Sequence, residues 1–438
     1  MNHSPKYSLI IPVRDGGKYL KSCIRSIIDS DYHDYELIIS DNHSTDESLA
    51  IIRRFSTHKA VKIVRPKKIL SMSEHWEFAL SKTNGQWIMI IGADDGIFPY
   101  FFKLANKLTE VASTQNIRAI YSQRAYYFWP GCNAIYKDEL ISYTANNIYK
   151  KRSTLSSTLS VLLSTKMAYF NLPQMYSNSI FSTDLLEDAK RKQGGKVFTT
   201  HSPDCNLAAI ACSLESQYLE SYIPLGWIGT SPKSTGLART LIKMGKASRE
   251  KVMAAKDFDK LNGKSSLRYE QPDLYQIQST KLWYWEAMVN SECLQNFVLR
   301  WLLRTKIFMT LMFMSTIDEL LSQNNIIDPG IELKTLEKIV ADNGCNYHLI
   351  SKLRNERDVI LQIQRYIGNR IRNSRILSKA VNTFQNTLKR FERSNSNINY
   401  SFRNSRKLDK NITLSEASAY INSQLCKKQI VENLKQQL

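Results

Sequence analysis

The chain has 438 residues, 43% of them hydrophobic and 10% aromatic, so two or three globular domains are expected and intrinsic disorder is not. A formal net charge of +20 favours acidic partners: nucleotide phosphates, anionic lipid surfaces or nucleic acid. The seven cysteines include no Cys-x-x-Cys pair, and no apolar run reaches the roughly 18 residues of a membrane span. The first apolar run is one strand long and leads into Arg14 and Asp15, unlike a signal peptide. These features predict a cytoplasmic protein.

Strands and helices alternate over about the first 125 residues, which is typical of a doubly wound, mostly parallel α/β sheet. Helices are predicted at 20–28 and after Ser44, Ser71 and Pro99, and Ser44 with Glu47 and Ser71 with Glu74 have capping-box spacing. The predicted strands are 7–13, 35–40, 61–64, 87–91 and 118–122.

The stretch QWIMIIGADDGIFP, residues 86–99, ends an apolar strand with the adjacent carboxylates Asp94 and Asp95. A continuous apolar run indicates an inner strand of a parallel sheet, and ligands bind at the carboxyl ends of such strands. Two adjacent carboxylates repel each other unless a cation or hydrogen-bond donors compensate them. The context therefore favours a divalent metal over the alternative, a solvated Asp-Asp-Gly turn.

Polar residues also follow the first two predicted strands, with Arg14 and Asp15 after one and Asp41 at the tip of the other. Neither G-x-G-x-x-G nor a P-loop motif follows the first strand, so carboxylates and a metal would have to hold a nucleotide. An Asp at a strand tip can accept a hydrogen bond from a base N–H or a ribose hydroxyl. Asp46 is interpreted as a helix cap.

These motifs, in this order and spacing, resemble those of family 2 glycosyltransferases with the GT-A fold. The segments that carry the resemblance are SLIIPVRDGGKYLKSCIRSI, YELIISDNHSTDES and ILSMSEHWEFALSKTNGQWIMIIGADDGIFP. The resemblance implies a D-x-D-type motif with Asp95 as ligand of Mn²⁺ or Mg²⁺, and Asp41 at the base of the nucleotide. Gly92 stands where the commoner Asp-x-Asp-Asp motif has its first Asp. The implied donor-binding residues are Pro12, Arg14, Asp15, Asp41, Asp94 and Lys233.

The chain divides into a nucleotide-sugar half at 1–125, an acceptor half at 126–236 and a basic, mainly helical region at 237–438. In the acceptor half, Asp204 precedes an apolar helix, where it could be a simple N-cap. The resemblance instead implies that Asp204 is the catalytic base. Lys233 lies in GTSPKSTG, residues 229–236, which resembles a Ser-Pro-Lys-Ser segment of related bacterial enzymes and offers donors to phosphate. A plain surface loop is the alternative.

In the third region, Trp283, Trp285, Phe297 and Trp301 are predicted to mark buried helix faces, and 307–317 a buried helix. Between 365 and 410, twelve Lys and Arg residues stand against two acidic residues. Helices around 371–391 would suit the surface of an anionic membrane leaflet. Residues 394–405 are predicted to be a mobile connector. The alternatives are a solvated basic face or contact with another subunit of a homo-oligomer.

The predicted function is metal-dependent, inverting transfer of a sugar, with a UDP-sugar favoured as donor, to a hydroxyl of a glycan or lipid-linked acceptor. Inversion is expected because the base and the leaving group lie on opposite sides of the anomeric carbon. By analogy with the family, the product belongs to bacterial surface polysaccharide such as O-antigen or capsule, built by a peripheral enzyme at the inner membrane face. A nucleotidyltransferase and a non-catalytic nucleic-acid-binding protein are alternatives, although no nucleic-acid-binding motif is recognisable.

Overall fold

A computed structural model describes residues 4–130, 139–141, 148–163, 169–174, 176–234, 261, 279–322, 330–355 and 406–407. Its strands, numbered in chain order, are β1 (Tyr7–Val13), β2 (Tyr35–Asp41), β3 (Val61–Val64), β4 (Trp87–Ile90), β5 (Gly96–Ile97), β6 (Ala119–Ser122), β7 (Ala125–Phe128), β8 (Glu139–Ile141), β9 (Tyr149–Ser153), β10 (Ser179–Ser182), β11 (Gln217–Ser221), β12 (Gly226–Thr230) and β13 (Arg406–Lys407). The helices are α1 (Tyr19–Ile28), α2 (Ser48–Arg53), α3 (Met72–Leu80), α4 (Phe101–Thr114), α5 (Thr154–Leu163), α6 (Thr183–Lys192), α7 (Pro203–Leu214), α8 (Thr280–Asn290), α9 (Phe297–Leu302), α10 (Lys306–Ser322), α11 (Gly330–Asp342) and α12 (Tyr347–Asn355).

The larger sheet has the strand order β3-β2-β1-β4-β10-β6-β11-β9, and its first four strands are parallel. The strand β10 is antiparallel to both β4 and β6, and a smaller sheet has the order β13-β8-β7-β12-β5. From β1 the chain adds β2 and β3 on one side and β4 on the other, although all four strands are parallel. The point between β1 and β4, where this order reverses, is the switch point at which α/β sheets bind ligands. The predicted α/β class with a doubly wound sheet is confirmed.

Successive residues of a strand point to opposite faces of the sheet. Because apolar residues lie on both faces, helices cover both of them. On β1, Leu9 and Ile11 face a core shared with α1, α2 and α4, whereas Ile10 faces a core shared with α3, α6 and α7. All three side chains are fully buried. This explains why the strands are apolar throughout rather than alternating.

The predicted capping box at Ser71 and Glu74 is confirmed, because each side chain bonds the other's backbone N–H at the start of α3. The box predicted at Ser44 and Glu47 is wrong. The helix α2 begins only at Ser48, with Glu47 as an N-cap that makes no side-chain hydrogen bond. The Ser44 hydroxyl instead accepts from the backbone N–H of Asp15 (3.0 Å), so the loop after β1 takes the hydroxyl that the helix would have used.

The helices α8 to α12 share a hydrophobic core with α5 and α7, so the C-terminal helices pack against the acceptor half of the sheet domain. The predicted buried helix at 307–317 is confirmed as the main part of α10. Trp285 is buried, but Phe297 and Trp301 are 78% and 61% exposed, so the prediction that both mark buried faces is wrong. Their turn of helix packs through Leu299 instead. The segment 371–391 lies outside the described residues. Within the described helices, none is long and apolar enough to cross a membrane.

Candidate active site

The candidate site lies at the carboxyl ends of β1, β2 and β4. The strand β1 pairs in parallel with both neighbours, with Val13 opposite Asp41 and Ile10 opposite Ile90. The loops that follow these strands therefore meet at one edge of the sheet. This brings together Asp15, Asp41 and the adjacent pair Asp94 and Asp95, as the sequence predicts. Pro12 lies half-buried in β1, and Arg14 is exposed immediately after it.

Backbone amides hold the Asp95 carboxylate in place. Its Oδ2 accepts from the N–H of Gly92 (3.0 Å), and its Oδ1 accepts from the N–H of Gly229 on β12 (2.7 Å). The residue is only 2% exposed. Burial, followed by the negative charge of Asp94, raises the pKa of Asp95 to about 8. The fold thus keeps a carboxylate in a place where its charge is disfavoured unless a positive charge joins it.

Asp94 is fixed by the loop that follows β12. Its Oδ2 accepts from the hydroxyl of Ser234 (2.7 Å), and its backbone carbonyl accepts from the indole N–H of Trp129 (2.9 Å). Burial raises the pKa of Asp94, although hydrogen bonds from Ser234 and Ser231 act in the opposite direction. The described part of the GTSPKSTG segment, residues 229–234, therefore contacts both carboxylates.

The pair Asp94 and Asp95 fits a divalent cation. Within the described residues, no Lys or Arg forms an ion pair with either carboxylate. Each oxygen of Asp95 that accepts one amide keeps a second lone pair for a metal. The described part of the chain contains no group of three His, Cys, Asp or Glu side chains suited to a metal. Further ligands would therefore have to come from elsewhere, such as water or a bound diphosphate.

Gly92 replaces the first Asp of the commoner motif, and the structure gives a steric reason for a small residue there. A β carbon at Gly92 would lie 2.8 Å from Oδ2 of Asp95 and 3.4 Å from Cδ1 of Tyr176. Any side chain would therefore press on a carboxylate that two backbone amides hold in place.

We expect Gly92→Ala to weaken metal-dependent donor binding without unfolding the chain. The added methyl group must displace the Asp95 carboxylate, and a displacement of about 1 Å costs about 10²-fold in rate at a catalytic centre. Titration of Mn²⁺ and a nucleotide sugar by calorimetry, with circular dichroism to check the fold, measures this effect. Unchanged metal and donor affinities would show that the space around Asp95 is not constrained.

The side chain of Lys233 extends from the loop after β12 and contacts the loops after β1 and β2. Its ammonium donates to Oδ2 of Asp46 (2.5 Å) and to the backbone carbonyl of Asp15 (3.2 Å). Burial acts to raise the pKa of Asp46, but hydrogen bonds from Lys233 and Ser48 outweigh it and hold the pKa below its usual value. Asp46 is therefore an ion-pair partner of Lys233 as well as a support for the start of α2, where it accepts from the N–H of Ser48.

The Asp15 carboxylate shapes the loop after β2. Its Oδ1 accepts from the backbone N–H groups of Thr45 (2.6 Å) and Asp46 (3.3 Å), and Asp15 itself has a φ of 56°. These bonds hold the loop after β2 against the loop after β1, so this oxygen has a structural role in the site.

Asp41 is fully buried at the end of β2. Its Oδ1 accepts from the N–H of Ser44 (3.1 Å), and its Oδ2 lies 3.3 Å from Nε of Arg65. That second oxygen has no hydrogen-bond partner in the structure. It is thus an available acceptor for a ligand N–H or hydroxyl.

His75 on α3 supports β2 one residue before Asp41. Its Nε2 lies 2.8 Å from the hydroxyl of Ser40, and both residues are buried. Burial disfavours the imidazolium and lowers the pKa of His75 to about 4, even though Ser40 and Asp41 act to raise it.

We expect this histidine to make folding acid-sensitive. In the unfolded chain a histidine has a pKa of about 6.5, so the unfolded state takes up a proton first as the pH falls. The stability is complete above about pH 6.5 and falls by up to about 3 kcal/mol as the pH approaches 4. Urea unfolding at pH 7 and pH 4.5 should show a smaller loss for His75→Gln than for the wild type. The exposed His33→Gln is the control, and equal losses in all three proteins would contradict the effect.

Asp204 lies in the first turn of α7, after Pro203. The N-cap is Ser202, so the interpretation of Asp204 as an N-cap is wrong. Proline suits the first helical position, and the cap therefore moves to the residue before it. Asp204 is 9% exposed; its Oδ2 accepts from the hydroxyl of Tyr169 (2.9 Å) and its Oδ1 from that of Ser202 (2.6 Å). Burial and the charge of Asp204 raise the pKa of Tyr169, which keeps this donor protonated.

The charges of both Asp204 and the acidic pair after β4 act on Tyr176. Burial, followed by the charges of Asp204, Asp95 and Asp94, raises the pKa of Tyr176, so its ring lies within electrostatic reach of both groups. Its φ of 76° is unusual for a bulky residue and marks strain at the site. Sequence reasoning missed Tyr169 and Tyr176, because neither lies in a recognisable motif and a positive φ at tyrosine leaves no sequence signal.

Comparisons with known proteins match mainly the N-terminal part of the chain. The family model described as "Glycosyl transferase family 2" matches residues 8–163. The "Putative glycosyltransferase EpsE" of Bacillus subtilis is 31% identical over 101 residues, which is 23% of this chain and 36% of that protein. A "PGL/p-HBAD biosynthesis glycosyltransferase" of Mycobacterium bovis is 27% identical over 96 residues, 22% of this chain and 38% of its own. The matches thus span little more than a third of each relative.

Among solved structures, S. aureus TarS residues 1–349 in complex with UDP-GlcNAc covers 72% of this chain and 89% of its own, with 15% identity and a TM-score of 0.42. The matched segment 8–163 contains β1, β2 and β4 and all four carboxylates at their ends, Asp15, Asp41, Asp94 and Asp95. Through this segment, which is about a third of the chain, the protein is similar to glycosyl transferase family 2.

Proposed function

We propose that the protein transfers a sugar from a nucleoside diphosphate to a hydroxyl group of a glycan or lipid-linked acceptor, with inversion at the anomeric carbon. The observation that carries this proposal is the adjacent pair at the switch point of the sheet, with Asp94 half-buried and Asp95 buried. Within the described residues, no Lys or Arg forms an ion pair with either carboxylate. The match of residues 8–163 to glycosyl transferase family 2 supports the reaction class.

The donor side of the site is assigned to the loops after β1, β2 and β12. Oδ2 of Asp41, which pairs with Arg65 but accepts no hydrogen bond in the described structure, suits an imino N–H, which uracil presents, so a UDP-sugar is the first donor to test. Lys233 would exchange its contact with Asp46 for the phosphate oxygens of the donor, because an ammonium binds either oxyanion.

Asp95 and Asp94 would hold Mn²⁺ or Mg²⁺. When bound, such an ion neutralises the negative charge that develops on a diphosphate leaving group. The residues of the chain bury Asp95, fix it through two amides and hold Asp94 through the hydroxyl of Ser234.

Asp204 is assigned as the base that accepts the proton of the acceptor hydroxyl. A hydroxyl is a poor nucleophile at neutral pH, and a positioned carboxylate accelerates such an attack by about 10² to 10⁴-fold. Hydrogen bonds from the hydroxyls of Tyr169 and Ser202 orient the carboxylate. If base and leaving group lie on opposite faces of the sugar, an α-linked donor gives a β-linked product.

The relatives named above are bacterial, and one is named for the biosynthesis of PGL/p-HBAD. We extend the proposal to the assembly of a bacterial surface polysaccharide at the inner face of the membrane. A loss of such a polysaccharide on deletion of the gene, restored by the wild-type chain and not by an inactive variant, tests this extension.

The direct test is a thermal-shift panel of UDP, GDP, CDP and dTDP sugars with Mn²⁺, Mg²⁺ or EDTA. The proposal expects a metal-dependent rise in melting temperature for one nucleotide class. Release of the nucleoside diphosphate should accompany transfer, and NMR of the product gives the anomeric configuration. Release of pyrophosphate from a nucleoside triphosphate would instead identify a nucleotidyltransferase, and retention of configuration would remove Asp204 from its role.

A further inference from the structure

Arg124, in the short link between β6 and β7, carries a charge that the described protein does not neutralise. Its Nε is buried without a hydrogen-bond partner, and no described carboxylate forms an ion pair with it. The guanidinium hydrogen-bonds the Tyr126 side chain and lies over the ring of Phe170, 5.0 Å from its centroid. Arginine stays protonated in proteins, so burial without an anion is costly.

The neighbours of Arg124 place it on the Asp204 side of the site. Phe170 follows Tyr169, which donates to Asp204, and the charge of Arg124 acts on Tyr176 together with those of Asp204 and Asp95. The proposed donor contacts of Asp15, Asp41 and Lys233 involve other loops. An anion at Arg124 would therefore belong to the acceptor rather than to the diphosphate of the donor.

We propose that Arg124 binds an anionic group of the acceptor, a phosphate or a carboxylate, and so selects a charged acceptor. The identification of the anion as part of the acceptor rests on the proposed function, whereas the anion site itself does not. The planar guanidinium can donate two parallel hydrogen bonds to either group, while the Phe170 ring holds its other face.

The test uses glycerol 3-phosphate, glycerate and uncharged glycerol as probes in a thermal-shift titration of the full chain. We expect one of the two anions, and not glycerol, to raise the melting temperature of the wild type, and the choice of anion distinguishes phosphate from carboxylate. Arg124→Gln should weaken this effect at least 10-fold and raise the melting temperature without a probe, because it removes a half-buried charge that no described carboxylate pairs with. The exposed Arg191→Gln is the control.

An anion effect that survives Arg124→Gln would overturn the proposal, as would a lower probe-free melting temperature in both Arg124→Gln and Arg124→Lys. The metal-dependent shift with nucleotide sugars is measured in parallel on the same variants. If that shift is absent while the anion effect depends on Arg124, the proposed function fails and the anion site stands.

A second, independent feature is an exposed apolar surface formed by α9 and the start of α10, which we call the α9 surface. It consists of Phe297, Val298, Trp301 and Ile307, which are 78%, 67%, 61% and 61% exposed. The other large apolar side chains exposed in the described chain, Ile69, Leu155 and Leu349, are 45–49% exposed and lie far apart in sequence. A concentration of this kind within eleven residues marks an interaction site.

Within the chain segment that forms the α9 surface, all charged residues are basic. Arg300, Arg304 and Lys306 lie in or next to it, and no Asp or Glu occurs from 293 to 317. The guanidinium groups of Arg300 and Arg304 donate to the backbone carbonyls of Ser291 (3.2 Å) and Val289 (2.8 Å), which fixes them beside the apolar side chains. Trp and Phe with adjacent cations are typical of segments that lie in the headgroup region of an anionic bilayer.

We infer that the α9 surface binds an anionic lipid membrane. Each surface Lys or Arg contributes about 1 kcal/mol near such a membrane, and insertion of the apolar side chains adds to it. This inference assigns membrane contact to the α9 surface and does not depend on the basic segment at 365–410.

Sedimentation with vesicles of phosphatidylcholine alone, or with 30% phosphatidylglycerol added, tests this inference on the full chain. We expect binding only to the anionic vesicles, and Phe297→Ser with Trp301→Ser should lower the partition coefficient at least 10-fold. The double variant Ile69→Ser with Leu155→Ser is the matched control. Equal binding by both double variants would assign the contact to another part of the chain. Loss of self-association without loss of vesicle binding would identify the α9 surface as a subunit interface.

Discussion

Replacing Asp95 with alanine is expected to abolish metal-dependent donor binding and to lower glycosyl transfer by roughly 10³-fold or more, since a metal contributes several kcal/mol to stabilising a transition state. The substitution removes the carboxylate that Gly92 and Gly229 hold in place. The measurement is the melting temperature with a nucleotide sugar and Mn²⁺, followed by the rate of transfer.

The fold of this variant must be checked, because two backbone amides lose an acceptor, at about 1–3 kcal/mol for each buried group. Relief of the repulsion with Asp94 acts in the opposite direction. Asp95→Asn keeps the side-chain volume and serves as a second variant, and the exposed Asp29→Ala serves as the control. A metal-dependent donor shift that persists in both Asp95 variants would contradict the assignment of Asp95 as a ligand.

Asp204→Asn is expected to lower the transfer rate by about 10² to 10⁴-fold while leaving metal-dependent donor binding intact. Asparagine keeps the shape of the side chain and can still accept a hydrogen bond from Tyr169, but it cannot take the proton of the acceptor hydroxyl. Steady-state kinetics with a transferable acceptor, beside donor titration by calorimetry, separates the two effects.

Tyr169→Phe tests whether the hydrogen bond to Asp204 positions the base. This variant should lose less activity than Asp204→Asn, because the carboxylate loses one of its two hydroxyl donors but keeps Ser202 and can still take a proton. If Asp204→Asn retained wild-type kcat, a different group would have to be the base, and the α7 carboxylate would have only a structural role.

Several features could be predicted because they depend on short stretches of chain. The apolar runs of β1 and β4 predicted inner parallel strands, and the strand ends predicted that Asp15, Asp41, Asp94 and Asp95 would meet at one sheet edge. The buried helix at α10 followed in the same way from its apolar run.

The errors have local physical causes. Ser44 has capping-box spacing with Glu47, but its hydroxyl accepts from Asp15 on another loop, and α2 starts later. Trp301 and Phe297 were predicted to be buried from their residue type alone. Which face of a short helix meets the core depends on its partners, and here that face carries Leu299.

The sequence by itself determined the class of the sheet, the strand that ends in two carboxylates and the resemblance to family 2 glycosyltransferases, because these follow from periodicity and from residues close together in the chain. Only the tertiary structure decided what surrounds them. It brought Gly229 to Asp95, Ser234 to Asp94 and Tyr169 to Asp204, over separations of 134, 140 and 35 residues. It also left Nε of Arg124 buried without a hydrogen-bond partner among the described residues. Such contacts depend on how strands and helices pack, and packing places together residues whose separation in the chain carries no local signal.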